Sequence, residues 1–166
     1  LGLMGGSGGG LLTAVCLVQR PELWSVVLSA VPVTDLMGCA RDPFGRFVLA
    51  EEFADIESHA DVAHLLRTSP YQLAQDADYP AVLVVAGGAD PRCPAWHTRK
   101  LVARLQTCQM GAAQILLSIH DGSGHGLAGT RPSLDPFTEQ VAFVLQGLGA
   151  LDHLHRDESG GWRRPL

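Results

Sequence analysis

The stretch LGLMGGSGGGLL, at residues 1–12, decides the fold of the chain. It contains a short apolar run, then the motif GGSGG at residues 5–9, then a second apolar run that is compatible with a helix. A G-x-S-x-G motif between a strand and a helix holds the serine hydroxyl out at the helix N-terminus, and its glycines remove side chains that would clash in this strained turn. The helix dipole and its unpaired N–H groups favour negative charge there. The pattern therefore predicts Ser7 as a nucleophile and the N–H of Gly8 as a donor to an oxyanion.

A flexible loop and a phosphate-binding turn are two other interpretations of the same glycines. Residues Gly5–Gly10 resemble a G-x-G-x-x-G pattern, except that Ser7 stands where the second glycine of the pattern would be. A dinucleotide-binding turn also requires an acidic residue at the end of a second strand, about 20 residues further on. Glu22 precedes the next predicted strand instead, so the nucleophile is the preferred interpretation.

Three later segments are continuously apolar and predict strands that are buried on both faces. They are SVVLSA at residues 25–30, AVLVVA at 81–86 and QILLSI at 114–119. Helix-compatible patterns alternate with these strands, at Leu11–Val18, Thr98–Leu105 and Phe137–Leu148. Burial of both strand faces requires helices on both sides of a sheet, so the sequence predicts an α/β fold with a mostly parallel sheet flanked by helices. Between residues 31 and 60 the pattern is irregular, with helical stretches expected.

Two polar residues follow the later strands in the order that a catalytic triad requires. Asp90 lies in the loop after AVLVVA, and His125 lies between two glycines in the loop after QILLSI. A serine hydroxyl needs a base to take its proton and a carboxylate to hold that base in the right tautomer. Ser, acid and His in this chain order resemble the α/β-hydrolases. The sequence therefore predicts the triad Ser7, Asp90 and His125.

Alternatives for the acid and the base remain open at this point. His120 ends a predicted strand and could replace His125, although it lacks the flanking glycines that would let a loop bend over the serine. Asp35 follows SVVLSA, a position that a minority of such enzymes use for the acid, whereas Asp121 is too close to His125 in sequence to orient it easily. His97 and the other histidines are predicted to be surface residues.

Several motifs together resemble the catalytic domain of the prolyl oligopeptidase family of serine peptidases: GGSGGGLL, QRPELW, SPY, ADPRCP and DGSGHG. The resemblance covers residues 1–148 and implies the same triad. It also implies cleavage of a peptide through an acyl-enzyme intermediate, under a β-propeller that covers the active site. Arg92, two residues after the triad acid, matches an arginine that binds a substrate carbonyl in the family. Leu49 stands where the family has a tryptophan that stacks on proline, which argues against strict cleavage after proline.

Composition and charge exclude several other classes of protein. The net charge is −5 and no basic run is longer than a pair such as Arg163-Arg164, so no nucleic-acid partner is expected. No apolar stretch approaches the roughly 20 residues of a membrane span, and no secretion signal is recognisable. The four cysteines show no CxxC pairing or metal-ligand spacing, so we expect free thiols, a reducing, cytoplasmic location, and neither metal nor cofactor.

The sequence divides into a catalytic segment at residues 1–150 and a polar, glycine-interrupted tail at 151–166 that is expected to be frayed. Because the chain begins within an apolar run, we expect a partial α/β-hydrolase fold without its N-terminal strands. Its partners would be a peptide substrate and the missing N-terminal part and propeller of a longer chain. An esterase with the same triad, and a truncated interaction domain without activity, are the alternative functions.

Overall fold

Four parallel strands form the central sheet of the protein. The computed structural model describes residues 1–53, 57–127, 135–153, 155–156 and 162–163. The strands lie side by side in chain order: β1 (Gly2–Gly6), β2 (Val26–Ala30), β3 (Ala81–Gly87) and β4 (Ile115–His120). All four carboxyl ends therefore point to the same edge of the sheet, where the loops that follow them meet.

Helices cover both faces of the sheet, as the apolar strands require. The long ones are α1 (Gly8–Gln19), α6 (Trp96–Cys108) and α7 (Asp135–Gly147). Helices α1 and α6 pack on one face, where Leu17 and Leu101 join Val82 in a buried cluster. On the opposite face, Val144 of α7 packs against Leu28 and other residues of the central strands. The predicted α/β architecture is thus confirmed.

The depth of burial differs between the strands. Val26, Val27 and Val84 of the two central strands are completely buried. In contrast, β4 is an edge strand whose Leu116 and Leu117 are 39% and 38% exposed. The prediction that this segment is buried on both faces is therefore wrong, because an edge position leaves part of an apolar strand uncovered.

The irregular segment after β2 folds into short helices at the carboxyl edge of the sheet. They are α2 (Leu36–Cys39), α3 (Pro43–Val48), a π-helical turn (Leu49–Phe53), α4 (His59–Thr68) and α5 (Pro70–Leu73). Side-chain caps fix their starts: Asp42 accepts hydrogen bonds from the N–H groups of Phe44 and Gly45, and Ser58 accepts one from Asp61. Such caps satisfy N–H groups that have no partner within the helix.

Short elements complete the described chain. Single turns of 3-10 helix occupy Pro21–Leu23 and Ala150–His153. In the tail, which was expected to be frayed, His155–Arg156 pairs antiparallel with Trp162–Arg163. The remaining tail residues lie outside the described part of the chain.

Candidate active site

Ser7 occupies a strained turn between β1 and α1, as the motif predicts. Its φ and ψ are 56° and −122°, a left-handed combination that costs a non-glycine residue energy and is typical of functional sites. The turn is possible because Gly5 lacks a side chain: a Cβ there would lie 2.4 Å from the carbonyl oxygen of Gly9. The Ser7 N–H donates to the carbonyl of Ala30, 2.9 Å away, which fastens the turn to the end of β2.

The three predicted triad residues meet at the carboxyl edge of the sheet. The Oγ of Ser7 lies 2.9 Å from Nε2 of His125, and the histidine's Nδ1 lies 2.8 Å from Oδ2 of Asp90. Ionised Asp90 can only accept, so Nδ1 carries the proton and Nε2 is free to accept from the Ser7 hydroxyl. This tautomer is the one in which the imidazole acts as a base toward the serine.

Asp90 holds both the histidine and its own loop. Its Oδ1 accepts hydrogen bonds from the backbone N–H groups of Arg92 and Cys93, at 2.8 and 3.0 Å. The other oxygen, Oδ2, accepts from His125. The Asp90 side chain is fully buried, whereas that of His125 is 20% exposed. Oδ1 thus holds the backbone of the loop after Asp90, and Oδ2 orients the imidazole of His125.

The loop that carries His125 packs directly on the end of β3. A Cβ at Gly87 would lie 2.4 and 2.5 Å from the carbonyl oxygens of Gly124 and Ser123, so only glycine permits this approach. The glycines beside His125 do not serve the predicted purpose, since a Cβ at Gly124 or Gly126 would meet nothing within 4 Å. The turn itself uses Gly122, which has φ +75°.

The alternative acid and base have other partners. Asp35 caps α2 by accepting from the N–H of Gly38 and forms an ion pair with Lys100, so its carboxylate has partners other than His125. His120 places Nε2 at 3.3 Å from the Ser118 hydroxyl and 3.5 Å from Glu139. The structure therefore favours Asp90 and His125, and the contact of Ser7 with His125 favours a nucleophile over a phosphate-binding turn.

A cavity of about 100 Å³ opens beside Ser7 and Gly8. Its further walls come mainly from the irregular segment after β2 and from the Asp90 loop: Leu11, Val33, Cys39, Asp42, Phe44, Gly45, Val48, Glu52, Phe53, Arg92, Cys93 and His97. The lining thus combines apolar and aromatic side chains with a few charged groups, which is the usual composition of a small-ligand pocket.

The two predicted substrate-binding residues differ in their placement. Arg92 lines the cavity beside Ser7, as the prediction requires. Leu49 is only 1% exposed and packs in the core with Leu36 and Leu65. The expectation that Leu49 forms the pocket is therefore corrected, and Phe53 lines the cavity instead.

His97 is a pocket residue that the sequence did not reveal. It is 2% exposed rather than on the surface, and its Nδ1 accepts from the N–H groups of Thr34 and Asp35, both at 3.2 Å. Burial lowers the pKa of His97 to about 4, so the ring is neutral at physiological pH. The proton is then on Nε2, which lies 3.7 Å from Sγ of Cys39.

The described ranges contain neither a candidate metal centre nor a candidate membrane span. Among the described residues, no group of three or more His, Cys, Asp or Glu side chains is placed so that it could hold a metal ion. Every helix in the described part of the chain falls short of the length and hydrophobicity needed to cross a bilayer.

Comparison with known proteins identifies relatives of this chain. Protease 2 of Moraxella lacunata is 31% identical over 148 residues, which covers 87% of this chain and 21% of that protein. Dipeptidyl aminopeptidase BI of Pseudoxanthomonas mexicana is 32% identical over 149 residues, covering 88% of this chain and 21% of the relative. A solved prolyl endopeptidase structure superposes with a TM-score of 0.83 at 34% identity, over 90% of this chain and 22% of that one. The chain thus spans about one fifth of the length of these relatives.

The family model for prolyl oligopeptidases matches residues 1–150. This range contains the nucleophile turn, both loops that meet it and all four strands of the sheet. Structures of that family also share the parallel sheet and its flanking helices, which are part of an α/β-hydrolase fold. With most of its length matched by the model, the chain belongs to the prolyl oligopeptidase family.

Proposed function

We propose that this chain carries the catalytic triad of a serine peptidase that hydrolyses peptide bonds through an acyl-enzyme. The observation that carries the proposal is the continuous hydrogen-bonded chain from Ser7 through His125 to Asp90, with links of 2.9 and 2.8 Å. The match to the prolyl oligopeptidase family supports a peptide as the substrate.

The geometry supports a two-step reaction. As Ser7 Oγ attacks the carbonyl carbon of the scissile bond, its proton moves to Nε2 of His125, and Asp90 stabilises the imidazolium. The imidazolium then protonates the leaving amine, the C–N bond breaks, and an ester to Ser7 remains. In the second step His125 takes a proton from water, the hydroxide oxygen attacks the ester carbon, and Ser7 Oγ leaves with the proton returned by His125.

We assign the N–H of Gly8 as one donor to the oxyanion. Gly8 is the first residue of α1, so its N–H has no acceptor within the helix. The family resemblance implies a tyrosine hydroxyl as second donor, but both tyrosines of this chain are otherwise placed. Tyr79 donates to the carbonyl of Gln75 at 2.7 Å, and the ring of Tyr71 lies 4.3 Å from Nζ of Lys100. The second donor would therefore come from another segment, such as the N-terminal part and propeller expected as partners.

The cavity beside Ser7 is proposed to hold the substrate residue at the cleaved bond. Phe44 and Phe53 supply flat apolar walls that Leu49 could not, and Arg92 supplies donors for a substrate carbonyl. Matched peptides with and without proline at that position test the expected absence of strict proline specificity. The cytoplasmic location stays a prediction from the cysteine usage.

A fluorophosphonate probe tests the proposal on the full-length protein. We expect the probe to label the wild type, and Ser7→Ala to lose both labelling and peptide hydrolysis. Ser123→Ala, in the His125 loop, is the matched control for serine labelling. An unlabelled wild type, or labelled Ser7→Ala, would contradict the proposal; hydrolysis of esters but not amides would favour the esterase.

A further inference from the structure

Two thiols line the cavity beside the nucleophile without belonging to the triad. Cys39 and Cys93 are both free, and each is only 5% exposed. Cys93 also lies three residues after Asp90, on the segment whose N–H groups the Asp90 carboxylate holds. Of the two thiols in the cavity wall, Cys93 is thus the one that shares an anchor with the candidate triad.

The surroundings of Cys93 leave little room for an added group. Its N–H donates to Oδ1 of Asp90 at 3.0 Å, and the residue is only 5% exposed in the wall of the cavity. A group added to the Cys93 sulfur must therefore take up space in the cavity or displace its neighbours.

The other three cysteines provide internal comparisons. Sγ of Cys39 lies against Nε2 of His97, on the wall contributed by α2. Cys108 is buried in the core between α6 and the sheet, and Cys16 is half-buried on α1. Neither Cys16 nor Cys108 lines the cavity.

We propose that Cys93 is a modification site at which small, uncharged disulfides or thiosulfonates switch the active site off. The proposal rests on the proposed hydrolase function of Ser7. The Cys93 thiolate attacks one sulfur of the reagent, a new S–S bond forms, and the reagent's own bond between sulfurs breaks. A disulfide releases a thiolate that takes up a proton, a thiosulfonate releases a sulfinate, and the proton of Cys93 passes to solvent. The attached group then fills space next to Ser7.

The surroundings of the thiol determine how fast this reaction runs. Burial and, less strongly, the charge of Asp90 raise the pKa of Cys93 to about 11, although interactions with the Ser7 hydroxyl and the charge of Arg92 lower it in part. The attacking thiolate is therefore a minor species at neutral pH, and modification is slow. A cavity of about 100 Å³ also admits small reagents in preference to bulky ones.

Methyl methanethiosulfonate, in mildly alkaline buffer, tests the proposal on the full-length protein. Its effect is measured by fluorophosphonate labelling, by ester hydrolysis and by peptide mapping with mass spectrometry. We expect a methylthio group on Cys93, beside any on the more exposed Cys16, and a loss of activity on the order of 10²-fold, as for other small displacements of reacting groups, with recovery in dithiothreitol. After treatment with the reagent, Cys93→Ala should hydrolyse the ester as fast as it did before treatment. Cys16→Ser, the matched control, should be inactivated like the wild type.

Three results would overturn the proposal: Cys93 stays unmodified, Cys93 is modified without loss of activity, or Cys93→Ala is inactivated as fast as the wild type. Failure of the hydrolase function is seen separately, as untreated protein that neither labels nor hydrolyses the ester. Peptide mapping then still decides the site, because the proposal requires Cys93 to react faster than the similarly buried Cys39 and Cys108.

Discussion

Replacement of Asp90 by asparagine separates the two tasks of this carboxylate. The asparagine carbonyl can still accept from the N–H groups of Arg92 and Cys93, now 2.8 and 3.0 Å from Oδ1. Its amide group, however, can only donate toward Nδ1 of His125, which must then be unprotonated. The proton moves to Nε2, 2.9 Å from Ser7 Oγ, and this nitrogen can no longer act as the base.

The expected size of the effect follows from the loss of this tautomer. Triad enzymes with the wrong histidine tautomer lose about 10⁴-fold in kcat, which corresponds to about 5 kcal/mol of barrier. Stability should change little in Asp90→Asn, because both buried N–H groups keep an acceptor. Asp90→Ala leaves them without one, and each unsatisfied group costs about 1–3 kcal/mol of unfolding free energy.

Ester hydrolysis and urea unfolding of the full-length protein measure the two effects. We expect Asp90→Asn to be nearly inactive but as stable as the wild type, and Asp90→Ala to be both inactive and less stable. Asp90→Asn with activity within about tenfold of the wild type would refute the assigned tautomer. Equal stability of the two variants would refute the structural role of Oδ1.

Two further predictions concern backbone space and pH. Gly5→Ala should lower the unfolding free energy by about 1–3 kcal/mol or prevent folding, because its Cβ would lie 2.4 Å from a carbonyl oxygen. Gly9→Ala is the control, since a Cβ at Gly9 meets nothing within 4 Å. Equal stability of the two variants would contradict the close approach at Gly5. The folded-state pKa of His97 is about 4, below the ordinary histidine value of 6.5, so its contribution to stability is complete above pH 6.5 and is lost as the pH falls toward 4, by about 3 kcal/mol in all. Urea unfolding from pH 7 to 4.5 should show this loss in the wild type and a smaller one in His97→Gln; parallel curves would contradict the assignment to His97.

The meeting of the three candidate triad residues was predictable because each lies within a local signal. Ser7, Asp90 and His125 each follow an apolar strand, and parallel strands bring the residues after their carboxyl ends to one edge of the sheet. The roles of individual glycines were less accessible. Gly87, which permits the His125 loop to approach β3, looks in sequence like an ordinary residue at a strand end, since its contact is made to a segment more than 35 positions away.

The pocket could not be predicted in the same way, because its wall comes from a segment without helical or strand periodicity. The family resemblance predicted Leu49 at the substrate, but α3 passes into a π-helical turn at that residue. Val48, Glu52 and Phe53 face the cavity, at spacings of four and five residues, while Leu49 turns to the core. A π-helical turn contains more residues than an α-helical one, so the faces shift relative to the sequence.

The candidate base and the cavity are joined in the structure through the short segment from Asp90 to Cys93. Asp90 orients His125 through one oxygen and holds the N–H groups of Arg92 and Cys93 through the other. The side chains of those two residues line the cavity in which a substrate would bind. A ligand or adduct that moves this segment must therefore also move the acceptor of the histidine proton. Differences at Arg92 and Cys93 between related enzymes are thus expected to change kcat as well as KM, since these residues share one anchor with the base.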